Sequence, residues 1–130
     1  MAIRGDLKGR MLATVILPES VEALARWWAS SAAFVWRGKS FEPHGRGRGE
    51  GLNRVLGDRL RLFRFHTHVG RSRAGDFDAV HLDYDLPQNP RLIRAIQDEI
   101  RMLRPGLYLG QAWLALGRDP RLVLWFGLEG

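Results

Sequence analysis

Apolar and polar positions along this chain fall into short segments, most of them with a period of two. Residues 10–17 are apolar, carry the β-branched Thr14, Val15 and Ile16, and stop at Pro18, as a buried strand does. The next segment changes period. Val21, Leu24, Ala25, Trp28 and Ala32 recur at spacings of three and four, which predicts a helix over 19–33 with Ser20 as its cap. Extended character resumes over residues 34–41. Glycines at 45, 47, 49 and 51 then predict a Gly/Arg loop over 43–51, because each glycine costs backbone entropy on ordering.

Residues 52–56 and 59–69 read as strands joined by a tight turn at Gly57-Asp58, and residues 77–86 as a further strand with strict alternation. Asn89-Pro90 is a strong helix-start signal, since Asn caps well and Pro suits the first helical position. Leu92, Ile93, Ile96, Ile100 and Leu103 form the matching apolar stripe, and Pro105-Gly106 ends it. Residues 107–116 and 121–128 close the chain as two strands, the last with Leu122, Leu124, Phe126 and Leu128 on one side. With no repeat and no linker, the expectation is one domain over 1–130. Its class is α+β, mainly antiparallel β: a strongly curved sheet or small calycin-like barrel with two helices, one packed across it or plugging an open end. Several strands are apolar on both faces, so one face either lines a pocket or is buried against those helices.

Composition narrows the classes. The chain has 130 residues, is 45% hydrophobic and has no cysteine, which suits a single core and excludes disulfide, zinc-thiolate and cysteine-nucleophile chemistry. No apolar run approaches the roughly 20 residues of a membrane span, and Met1 to Asp6 lacks the order of a signal peptide, so a cytoplasmic protein is expected. The formal charge is +6, and every basic residue except Lys8 and Lys39 is Arg. Those charges are spread over the chain, with Arg91, Arg94, Arg101 and Arg104 at helical spacing and Arg59, Arg61 and Arg64 in a strand. They read as solvated faces, which argues against a nucleic-acid partner; Arg46, Arg48, Arg71 and Arg73 are the candidates if there is one. The glycine loop lacks the Gly-Lys-Ser/Thr ending of a phosphate loop and precedes a strand.

Histidine and carboxylate are left as the main candidates for chemistry. His66 and His68 project to one side of a strand about 7 Å apart, and His81, Asp83 and Asp85 share a side of the next. Suitable register would converge them into an acid–base or metal cluster; an exposed face with charges paired across strands accounts for the same pattern. Asp83-Tyr84-Asp85 either orients a catalytic group or is turn chemistry ahead of Pro87. Arg37 and Lys39 lie on one side of an extended stretch beside Trp36 and Phe41, placed to meet an acidic head group. No metal or cofactor is expected.

The stretch Trp36-Arg37-Gly38-Lys39-Ser40-Phe41 resembles the aromatic-x-Gly-Lys-x-Phe segment of a group of small bacterial proteins of lipocalin-like character, the GXWXG/DUF4334 type. The later order is similar in outline: Asp83-Tyr84-Asp85, then Gly106-Leu107-Tyr108-Leu109-Gly110, then a terminal Phe126-Gly127-Leu128-Glu129. The resemblance implies a lipocalin-like fold and no particular mechanism. Two functions follow as expectations. The first is binding of a small hydrophobic molecule, acyl or polyketide-like and in one form acidic, within the barrel by Trp36, Arg37, Lys39, Tyr84, Tyr108 and Trp113. The alternative is a cofactor-free isomerase, cyclase or dehydratase using His66, His68, His81, Asp83 and Asp85 in the same cavity. Whether the protein is an enzyme, and its oligomeric state, stay open.

Overall fold

The structure, a computed structural model, describes residues 3–14, 36–45, 48–55, 60–91, 93–115 and 120–130. Eight strands are found among them: β1 (Gly5–Thr14), β2 (Trp36–Gly45), β3 (Arg48–Val55), β4 (Leu60–Arg71), β5 (Asp78–Asp83), β6 (Ile96–Arg104), β7 (Leu107–Leu114) and β8 (Arg121–Glu129). Each pairs antiparallel with the next, and β8 pairs with β1, which closes the sheet into a barrel. The expected antiparallel meander and barrel are therefore present. An eight-stranded barrel has an interior that side chains can fill, or that holds one small ligand. Phe65, Leu82, Ile100 and Leu128 are the largest fully buried side chains in that interior.

The two expected helices fare differently. Residues 19–33 lie outside the described residues. The second helix, from Asn89 through Leu103, is corrected: a single 3-10 turn at Ile93–Ala95 leads directly into β6. Its physical reason is local. The Asn89 amide does not cap a helix but donates to the carbonyls of Arg64 (2.7 Å) and Tyr84 (2.8 Å), tying the chain after β5 down onto β4. Ile96, Asp98 and Ile100 then alternate inward, with a carboxylate in the middle position where the pattern leads one to expect an apolar side chain.

The Gly/Arg loop is corrected as well. β2 and β3 run through it as a hairpin paired down to Gly45 and Arg48, and the two residues of its tip lie outside the described set. Gly51 faces inward, where an added Cβ would stand 2.5 Å from Phe65 Cζ. Gly110 on β7 does the same for Phe126, at 2.2 Å from its Cζ. These glycines recess the barrel wall so that two aromatic rings can fill the centre.

Candidate functional site

The barrel interior carries a buried polar cluster. Lys39 of β2 and Asp98 of β6 are 3% and 2% exposed, and Lys39 Nζ lies 3.3 Å from Asp98 Oδ2. β2 and β6 stand four strands apart in an eight-strand ring, so this ion pair crosses the barrel from one wall to the other. Register explains the placement. On the inner face Leu7, Lys39 and Asn53 are direct neighbours across β1, β2 and β3, while Asp98 sits between Leu82 and Ala112.

Asn53 and Tyr84 complete the cluster. Lys39 Nζ donates to Asn53 Oδ1 at 2.7 Å and to the Tyr84 hydroxyl at 2.5 Å. The same hydroxyl accepts from Asn53 Nδ2 at 3.0 Å and donates to Asp98 Oδ2 at 3.2 Å. Around the ammonium stand the rings of Phe65, Tyr84 and Phe126, with Nζ 5.3, 5.2 and 5.4 Å from their centroids. That distance is within the range of cation–π attraction, which is strongest where water is excluded. Among the described residues, Asp98 Oδ1 is buried and receives no hydrogen bond.

A bulge on β4 sets Asn53 in place. Between the pairs Gly51–Phe65 and Asn53–Leu62 the β4 strand carries an extra residue, and Phe63 adopts a φ of +58°. A bulky aromatic residue seldom occupies that region, and holding it there costs on the order of 1–3 kcal/mol. Asn53 Nδ2 lies 3.2 Å from the Phe63 carbonyl that the bulge releases from the ladder. One amide thus serves both the bulge and the interior cluster.

Burial dominates the titration of all three ionisable groups. It pushes the Lys39 ammonium below its ordinary value, opposed by the Asp98 charge. It pushes Asp98 up, opposed by the charge and hydrogen bond of Lys39 and by the Tyr84 hydrogen bond. Tyr84 is raised well above its ordinary value by burial and then by the Asp98 charge. In a dry interior each of these groups favours its neutral form. The arrangement can therefore exchange a proton between Lys39 and Asp98, directly or through the Tyr84 hydroxyl.

The histidines and carboxylates singled out in the sequence do come together, but on the outer wall. His68 faces His81 directly across β4 and β5, with rings stacked at 5.0 Å and 7°, and His66 faces Asp83. The His66 side chain is 57% exposed, and its Nε2 is 3.9 Å from Glu50 Oε2. Asp83 accepts the Asp85 backbone N–H at 2.9 Å, and Asp85 pairs with Arg94 at 2.7 Å. His81 Nε2 lies 2.9 Å from the Arg71 carbonyl, which requires its proton on Nε2 and fixes the tautomer. His66, His68, His81 and Asp83 thus line the face of the sheet opposite the barrel interior, and Asp85 follows the end of β5.

Glu99 organises that outer wall, and nothing in the sequence marked it. It is 3% exposed and accepts the Arg73 backbone N–H with both oxygens, at 3.2 and 3.0 Å, so it pins the β4–β5 connection over the sheet. Arg73 also pairs with Glu99 at 3.6 Å, and Arg71 with Asp76 at 2.5 Å, so both of these proposed nucleic-acid contacts are engaged with acidic partners. Arg48 is exposed on β3, and Arg46 lies outside the described residues.

Of the ligand candidates, Lys39 and Tyr84 belong to the interior cluster and Tyr108 is buried in the core. Trp113 Nε1 donates to Gln111 Oε1 at 3.2 Å, on the face opposite inward Ala112. The side chains of Trp36 and Arg37 are outside the described set. No helix among the described residues is long and apolar enough to cross a membrane. Comparison with protein-family models, with curated proteins and with solved structures gives no match, so the site is read from its own geometry.

Proposed function

We propose that the protein binds a small hydrophobic molecule, acyl or polyketide-like, inside the barrel, with its polar head at the Lys39–Asn53–Tyr84–Asp98 cluster. The observation that carries this reading is Asp98 Oδ1, a buried carboxylate oxygen with no donor among the described residues. Leaving a buried acceptor unmet costs about 1–3 kcal/mol, more when it is charged. A hydroxyl, an amide or the O–H of a protonated acid on a ligand would meet it, while Phe65, Phe126 and Tyr84 supply apolar and ring surface for the remainder. The acidic head expected from Lys39 enters in its protonated form, because Asp98 already opposes the lysine charge. Kinship with the GXWXG/DUF4334 type is proposed on the same footing.

The test is native mass spectrometry of the protein incubated with dodecanoic acid and 1-dodecanol, followed by thermal unfolding. Retained ligand at one equivalent and a raised unfolding temperature are expected; at 100-fold excess over Kd binding adds about 2.7 kcal/mol to stability. No retained ligand and an unmoved transition would contradict the reading.

A further inference from the structure

We propose that Lys39 is a nucleophile that forms an imine with an aldehyde or ketone carried by the bound molecule. This rests on the binding reading and names its chemistry more closely. Four features of the geometry support it. Lys39 is one of only two lysines in the chain, and it is buried at the centre of the barrel rather than solvated like Lys8. Its Nζ is almost wholly removed from water, which favours the neutral amine over the ammonium ion against the attraction of the three surrounding rings and of Asp98. Two groups able to move protons stand within reach, the Tyr84 hydroxyl at 2.5 Å and Asp98 Oδ2 at 3.3 Å. The second Asp98 oxygen is open to the hydroxyl of an addition product.

The step balances without an oxidant or reductant. Asp98 takes the proton of the Lys39 ammonium. The Nζ lone pair attacks the carbonyl carbon, the C–N bond forms, and the C=O π pair moves to oxygen, which takes a proton back from Asp98 by way of Tyr84. Asp98 then accepts a proton from nitrogen as the carbinolamine forms. Returning that proton to the hydroxyl expels water, and the nitrogen lone pair closes the protonated C=N bond. The product is an iminium with the Asp98 carboxylate as its counter-ion. Asn53 acts as a positioning residue, holding Lys39 and Tyr84 in line.

The chain's two lysines make the test direct. The protein is incubated near neutral pH with 2-naphthaldehyde and sodium cyanoborohydride, and the reduced adduct is located by peptide mapping. Lys39 is expected to be modified at least about tenfold faster than Lys8, despite its burial, through positioning. Asp98→Asn, which keeps the amine but removes the proton carrier, is expected to slow labelling of Lys39 by about 100-fold. The variant Lys39→Met/Asp98→Leu, with the pair replaced by apolar groups, checks that labelling at other sites is unchanged. Modification confined to Lys8 and the terminal amine overturns the inference. Native mass spectrometry with 2-naphthalenemethanol separates the two readings: retained alcohol with an unlabelled Lys39 leaves binding standing and removes the imine, and an unretained alcohol with an unlabelled Lys39 removes both.

Discussion

The wall formed by β4, β5 and β6 carries charged and titratable groups along its outer face and, at Asp98, on its inner face, and the two faces behave in opposite ways. Outside, His66, His68, His81, Asp83 and Glu99 stand in adjoining rows, each held by a neighbouring strand, by the β4–β5 connection or by a backbone carbonyl. Inside, Asp98 of the same β6 meets Lys39 from the far wall, with both side chains almost wholly buried. The outer wall holds more of these groups than the interior does. Physics separates them, since an exposed pair gains about 0–1 kcal/mol, whereas breaking one partner of a buried pair costs about 3–5 kcal/mol.

The largest effect expected is therefore from Lys39→Met, which strands Asp98: a loss of about 3–5 kcal/mol in urea unfolding, most of it recovered in Lys39→Met/Asp98→Leu. Equal destabilisation by the single and double variants would show that the pair does not act as a unit. Next comes Gly110→Ala, whose added Cβ falls 2.2 Å from Phe126 and is expected to cost about 1–3 kcal/mol through overpacking. A neutral outcome would mean that the Phe126 ring is not pressed against that wall.

A pH experiment sharpens the same contrast. Burial raises Asp98 above its ordinary 3.8, so the folded chain keeps this proton where the unfolded chain releases it. The stability it contributes is present below 3.8 and is lost as the pH rises through the raised value. Relative to Asp98→Asn, the wild type should thus be favoured in acid and lose ground on approach to neutrality. On the outer wall His68 is lowered by burial and by the neighbouring His81, which has the opposite sign. Its stability is present above 6.5 and falls as the pH drops toward the lowered value, and His68→Gln should flatten that slope slightly. The smallest effect expected is from Asp6→Asn, which breaks an exposed bidentate pair with Arg61 at 2.9 Å and should cost under about 1 kcal/mol by thermal unfolding.

Legibility in the sequence follows the same division. Strands whose inner positions are all apolar, such as Leu124, Phe126 and Leu128 of β8, are recognisable from alternation alone. β6 is not, because its inner row reads Ile96, Asp98, Ile100. The carboxylate that the site requires removes the period-two signal, and the surviving apolar residues happen to match helical spacing. Likewise, Gly51 looks like part of a loop until the ring of Phe65 is seen to need the space. The outer histidines were legible as a group, since period two fixes that they share sides. Which face of the sheet they occupy depends on barrel closure, a property of no single strand. Lys39 was legible as a candidate, whereas Asn53 and Asp98 were hidden: one depends on the β4 bulge and the other lies in the segment read as a helix.

We propose that binding belongs to the inner cluster and not to the outer wall. Native mass spectrometry with 1-dodecanol, run in parallel on the wild type, on Lys39→Met/Asp98→Leu and on His66→Ala/His68→Ala/His81→Ala, tests it most directly. The outer triple variant is expected to retain the ligand like the wild type, and the inner double variant to lose it. Retention by the inner variant with loss by the outer one would contradict it.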